Sequence, residues 1–209
     1  MENTNESKRI KIFTVLCRGY LQILSKTCKI RIINEENVDI NNSVIGCWHG
    51  ETFPAYLLLE RLTDLKLTAI TTSDSRGDYI SALMSQFGVT PLRLPNGVAA
   101  RHGIAEAIEL GKNDEKLSLF FSIDGPLGPY HEPKKMVFHI AQKCNKKYIG
   151  VNIKVKGKVT FFARWDKYIV PLPFSSITFK IRTAGDITTE KMKNYANLRQ
   201  DVVNLMEGE

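Results

Sequence analysis

The sequence predicts one α/β domain, a mixed central sheet flanked by helices, entered through a basic amphipathic helix. Three observations carry this. From about residue 43 onward, apolar runs of strand length alternate with segments of helical period. The connections between them are short, with no linker, internal repeat or low-complexity stretch. The segment ahead of them is helical in period and contains no acid between Ser7 and Asn34.

Residues 1–6 are polar and are expected to fray. From Lys8 onward, Ile10, Phe13, Leu16, Cys17, Tyr20, Leu21 and Leu24 recur at steps of three and four, which is a helix. The same stretch carries Lys8, Arg9, Lys11, Arg18, Lys26, Lys29 and Arg31. Such a helix suits the surface of an anionic bilayer. It equally suits packing on the core with a solvated basic rim, and the two readings are compatible. Strands are expected at Ile30–Ile33 and Val44–Trp48. A helix follows over Glu51–Leu62, opened by an acid and by Pro54 in its first turn. Leu67–Thr72 reads as a strand, Tyr79–Phe87 as a helix ended by Gly88, and Val89–Leu94 as a strand. Gly97–Leu110 reads as a helix stopped by Gly111, Leu117–Ile123 as a strand, and Lys134–Cys144 as a helix. Tyr148–Val155 and Val159–Arg164 read as strands joined by a Lys156-Gly157-Lys158 turn. Ile177–Ile181 is the last expected strand, and Glu190–Met206 a closing polar helix. The expected organisation is an amphipathic segment over 1–34 and an α/β body over 35–209, together one structural unit.

The totals suit that reading. A chain of 209 residues holds one domain with a full core. With 29 Lys and Arg against 22 acids, the formal charge is +7, which favours nucleic acid, an anionic membrane or a phosphorylated substrate as partner. Nucleic acid fits least, because the densest basic stretch is one amphipathic helix without the aromatic interleaving that stacks bases. Cys17, Cys28, Cys47 and Cys144 form no C-x-x-C pair, so free thiols in a reducing compartment are expected. No apolar run approaches the length of a membrane span, and the start Met-Glu-Asn-Thr-Asn-Glu lacks the basic opening of a signal peptide.

Two polar turns stand at the exits of apolar strands, where α/β proteins build sites. One is Trp48-His49-Gly50, after Ser43–Cys47. The other is Asp124-Gly-Pro-Leu-Gly-Pro129, after Leu117–Phe121. His49 is placed like a general base, although a strand-end histidine satisfied by its own hydrogen bonds has the same signature. A base of this kind needs a carboxylate to hold its tautomer and donors for an oxyanion. Glu51, Asp124 and the amides of the Gly125–Gly128 turn are the candidates, and His131, beyond that turn, is in reach of a ligand. Asp-Gly-Pro is also simply good turn chemistry. There is no Gly-x-Ser-x-Gly elbow, P-loop, Gly-x-Gly-x-x-Gly or His-x-x-x-His, so no nucleophile elbow, phosphate cradle or metal site is expected.

On three landmarks, Trp48-His49-Gly50, Asp124-Gly-Pro-Leu-Gly-Pro129 and Trp165-Asp-Lys-Tyr-Ile-Val-Pro-Leu-Pro-Phe-Ser175, the chain resembles the lysophospholipid acyltransferase-like superfamily. The likeness is greatest to a compact bacterial branch that includes a secondary acyltransferase of lipid A. The resemblance implies a glycerolipid acyltransferase-like fold. It also implies transfer of an acyl group from acyl carrier protein or coenzyme A to a hydroxyl of a phosphorylated lipid, with no metal or redox cofactor. It places His49 on the catalytic histidine of a His-x-x-x-x-Asp pair, but Pro54 stands where the aspartate belongs. Asp124–Leu127 fall on a phosphate-binding Glu-Gly-Thr-Arg segment, with Leu127 where the branch has arginine. Arg93 and Arg101 are the replacement phosphate ligands this implies, and Gly125, Gly128 and His131 the neighbouring acceptor contacts. Gly150 stands where the last superfamily block has proline. The implied location is the inner face of the cytoplasmic membrane. A non-catalytic lipid-binding protein on the same fold is the alternative, with Pro54 and Leu127 as its signature.

Overall fold

The computed structural model describes residues 2–34, 36–95 and 100–208. In chain order its elements are α1 (Glu2–Thr27), β1 (Lys29–Ile33), β2 (Ser43–Cys47), α2 (Thr52–Leu59), β3 (Lys66–Thr72), α3 (Ser75–Ser85) and β4 (Thr90–Leu94). There follow α4 (Ala100–Asn113), β5 (Leu117–Ser122), α5 (Lys135–Cys144), β6 (Lys147–Thr160), β7 (Ile169–Asp186), α6 (Thr189–Lys193) and α7 (Tyr195–Glu207). The strands form one seven-stranded sheet in the order β1-β7-β6-β2-β5-β3-β4. Every neighbouring pair is parallel except β6 and β7, which are antiparallel. The sheet is therefore mixed, with helices on both faces. β1, from the N-terminal segment, is its edge strand beside β7.

Two apolar layers flank the sheet. One joins α1, α2 and α3 to it through Leu21, Leu24, Leu57, Leu83 and Phe179. The other joins α4, α5 and α7 through Ala107, Phe138, Ile140, Val202 and Met206. β2 is buried along its whole length and β5 nearly so, because helices cover both faces; this is why both read as continuous apolar runs rather than as alternations. The helix α3 starts four residues before the expected Tyr79, because the Asp74 carboxylate accepts from the Gly77 amide and caps it. Of the expected helix at Gly97–Leu110, residues 97–99 lie outside the described residues; α4 runs on through Gly111 to Asn113.

Four expectations need correction. The helix α1 already begins at Glu2 instead of fraying to residue 6. The expected Lys156-Gly157-Lys158 hairpin is absent: β6 runs straight through, with Gly157 at φ 87° as a bulge. The real turn is 161–168. β7 runs from Ile169 instead of Ile177, because Pro171 and Pro173, which discourage a strand reading, lie at an irregularity where Leu172–Ser175 make an excursion opposite Gly157. The closing helix is broken at Asn194 into α6 and α7.

Helix α1 is apolar on two sides. Leu21 and Leu24 are buried in the core, while Ile12, Val15, Leu16 and Ile23 are exposed. Among the described residues, no helix is long and apolar enough to cross a membrane.

Candidate active site

The parallel strands β2 and β5 lie side by side and end at the same edge of the sheet. Beyond β2 the chain makes a 3-10 turn over His49–Glu51, closed by the Glu51 amide on the Trp48 carbonyl at 3.0 Å. Beyond β5, the Ile123 amide donates to the Cys47 carbonyl at 2.9 Å. The two landmark turns are thus clamped together. The Asp124 carboxylate then accepts from the His49 amide at 2.8 Å. Asp124 is fully buried, and burial pushes its pKa up against the hydrogen bond from the His49 amide.

The carboxylate on the His49 ring comes from elsewhere. Asp166 Oδ2 lies 2.8 Å from His49 Nδ1, with the His49 side chain 25% exposed and that of Asp166 wholly buried. Asp166 is carried by the 161–168 turn between β6 and β7. Burial pushes its pKa up, but hydrogen bonds from Arg164 and His49 outweigh this and bring it down to about 2. Arg164 reaches it through Nε at 2.9 Å and Nη2 at 2.7 Å. An anionic Asp166 fixes the proton on Nδ1, so Nε2 is the ring nitrogen left to accept a proton.

Two glycines make this approach feasible. A Cβ on Gly50 would lie 2.1 Å from the Asp166 carbonyl oxygen. A Cβ on Gly128 would lie 2.5 Å from the Trp165 ring, and the Gly128 backbone is left-handed at φ 69°. The arm tip therefore rests on the backbone of both landmark turns. Trp165 also packs beside the His49 ring, with centroids 5.3 Å apart.

The expectation that Asp124 or Glu51 orients the His49 ring is thus corrected. Asp124 holds the backbone of His49. Glu51 points into a buried environment that raises its pKa to about 8, against a backbone hydrogen bond at Ile153 and the charge of Lys158. Its Oε2 is buried without a hydrogen-bond partner. Gly125 is in the turn, but its amide is committed to the Ser122 carbonyl at 3.1 Å, so it is no spare oxyanion donor. His131 lies stacked between Trp48 (4.3 Å) and Tyr130 (3.8 Å), with Nδ1 2.8 Å from the Glu207 carboxylate. Lys167 Nζ lies 4.2 Å from the centroid of the Tyr130 ring. This column links Trp48, next to His49, to Lys167, next to Asp166.

The structure does not bring Arg93 to the histidine. β4 is three strands from β2 in the sheet, roughly 14 Å at ordinary strand spacing. The Arg93 guanidinium is bound to the Asp78 carboxylate and donates to the Asp74 carbonyl at 2.8 Å. A phosphate would have to displace a carboxylate there. Arg101 is exposed at the start of α4. Arg164, paired with Asp166, and the exposed Lys167, next to Asp166 in the chain, are cations at this site that sequence reasoning missed together with Asp166. Among the described residues, no group of three His, Cys, Asp or Glu side chains is arranged to hold a metal ion.

The chain matches no described protein family. It is 24% identical over 214 residues to an uncharacterized protein of Rickettsia prowazekii (strain Madrid E), a match that covers 97% of this chain and 94% of that one. Its fold is that of the crystal structure of PlsC, the 1-acyl-sn-glycerophosphate (LPA) acyltransferase from Thermotoga maritima. That superposition has a TM-score of 0.52 at 14% identity and covers 100% of this chain and 84% of the other.

Proposed function

We propose that this chain is an O-acyltransferase of the lysophospholipid or lipid A type. It would move a fatty acyl group from an acyl carrier protein or coenzyme A thioester to a hydroxyl of a phosphorylated membrane lipid. His49 is the general base and Asp166 its orienting carboxylate. His49 Nε2 takes the proton of the acceptor hydroxyl as that oxygen attacks the thioester carbonyl. The tetrahedral intermediate collapses with the C–S bond breaking, and the proton passes from His49 to the leaving thiolate. Asp124 is a positioning residue that fixes the His49 backbone. Arg164 keeps Asp166 anionic, and Lys167 beside it lies where an acceptor phosphate would be received.

The observation that carries this reading is the 2.8 Å contact between His49 and the buried Asp166. A base with an orienter suits catalysis, whereas a lipid-binding protein has no need of one. The shared fold with an acyltransferase supports the same reading. The exposed stripe on α1, flanked by Lys8, Lys11 and Lys26, supports a peripheral position on the inner face of the cytoplasmic membrane.

The test is thiol release from a long-chain acyl-coenzyme A or acyl carrier protein, with lysophosphatidic acid or a lipid A precursor as acceptor. The wild-type chain is expected to release thiol in step with ester formation. His49→Ala is expected to abolish release while keeping its melting temperature near wild type. A folded His49→Ala protein that turns over at the wild-type rate ends the general-base assignment. A wild-type chain that binds these lipids without thiol release selects the non-catalytic alternative.

A further inference from the structure

The arm formed by β6, the 161–168 turn and β7 presents apolar side chains that the fold leaves uncovered. Phe161 and Phe162 open its turn. Leu172 and Phe174 stand on the excursion of β7. Phe162 is 79% exposed and Phe174 83%. Isolated exposed apolar residues are ordinary, but these four lie on one arm, and the two most exposed rings bury little area against their own chain. Phe174 also holds φ 65°, a region that bulky residues occupy only at a cost. Strain that presents a ring to water stabilises nothing within the molecule.

The exposed charge carried by the arm itself has one sign. Between Glu132 and Asp186 the sequence holds a single acid, Asp166, and that carboxylate is buried on Arg164 and His49. Lys156 and Lys158 are exposed on β6 across from the ends of the excursion, at Ser176 and Pro171. Arg164 and Lys167 are exposed in the turn. Apolar tips set among cations, with no exposed acid between Glu132 and Asp186, match the boundary of an anionic bilayer. There rings enter beneath the headgroups and ammonium groups meet phosphates. An acidic soluble protein would match the charges alone. Rings carried on two projecting features, a turn and a bulge, are better accounted for by a layer they can enter.

We propose that the β6–β7 arm is a membrane foot. Phe161, Phe162, Leu172 and Phe174 dip into the interface of an anionic bilayer while Lys156 and Lys158 bind its headgroups. Because the same arm carries Asp166, the foot brings the mouth of the His49–Asp166 site to the lipid surface. What the site does there rests on the proposed acyl transfer, but the binding does not need turnover to be measured.

The test is flotation of the full chain with vesicles of phosphatidylcholine and phosphatidylglycerol. Phe162→Ser/Phe174→Ser is expected to bind about ten-fold more weakly or worse, with its melting temperature unchanged because neither ring is packed. Lys156→Gln/Lys158→Gln is expected to bind more weakly at low salt and to converge on wild type as salt rises. Wild-type affinity in the phenylalanine variant overturns the proposal, as does a wild-type chain that fails to float. A loss confined to the lysine variant also overturns it and assigns the face to an acidic protein. A chain that floats through these rings yet transfers no acyl group upholds the foot and overturns only the enzymatic reading.

Discussion

The two halves of the dyad come from regions built by different rules. His49 stands at the exit of β2, a short buried strand between parallel neighbours, and local sequence fixes its place: an apolar run, a tight turn, a glycine. Asp166 stands 117 residues later at the tip of a long antiparallel arm, and only pairing of β6 with β7 and docking of the tip bring it to the ring. One half is placed by the sheet core and the other by a projecting hairpin. Anything that shifts the arm therefore changes what the His49 ring meets without touching His49.

The largest effect expected on this comparison is from Asp166→Asn. The amide keeps the shape but no longer pins the proton on Nδ1, and it leaves Arg164 without its carboxylate. Acyl-transfer rate should fall by roughly a hundred- to ten thousand-fold, the usual range for acid–base parts. The pH–rate profile should change shape along with it. Asp124→Asn retains an oxygen that can accept from the His49 amide, so its loss should be no more than about ten-fold. The opposite ranking would return the orienting role to Asp124.

Next is Gly50→Ala, which attacks the seam between the two regions. The added methyl meets the Asp166 carbonyl, a backbone atom that can yield only by moving the arm tip. Displacement of about 1 Å in such a constellation costs on the order of a hundred-fold in rate. The melting temperature should fall as well, because overpacking of this kind costs roughly 1–3 kcal/mol. A variant with wild-type rate and stability would mean that the tip is not seated on Gly50.

The sequence was legible where structure follows from near neighbours. Strand–helix alternation, the position of His49 and the Asp124 turn are all local patterns, and each element of the parallel half lies within a few residues of its expected place. The arm was not legible, because its signals mislead locally. Lys156-Gly157-Lys158 has hairpin chemistry, yet Gly157 serves as a bulge. Pro171 and Pro173 discourage a strand, yet β7 passes through them. Asp166 lay in plain view within the Trp165–Ser175 landmark, but nothing in spacing says that it returns to His49. One signal was available: in the long run from Glu132 to Asp186 it is the single acid. Glu51 was the opposite case, near His49 in sequence and turned away from its ring.

That carboxyl gives the smallest expected effect and separates a buried acid of the core side from the paired acid of the arm. Burial holds the Glu51 pKa at about 8, above its ordinary value of 4.5, although Lys158 and a backbone hydrogen bond oppose it. A group raised in this way contributes stability fully below pH 4.5 and loses it as pH rises through 8. Asp166, lowered to about 2, behaves in the reverse sense and keeps its contribution across that window. Glu51→Gln removes the titrating group and keeps the shape. Its melting temperature relative to wild type should therefore climb between pH 5 and pH 9, while its acyl-transfer rate at neutral pH stays within a few-fold of wild type. A melting-temperature difference that is flat across that range would show that Glu51 ionises freely in the folded chain. A hundred-fold loss of rate would place its carboxyl in the chemistry after all.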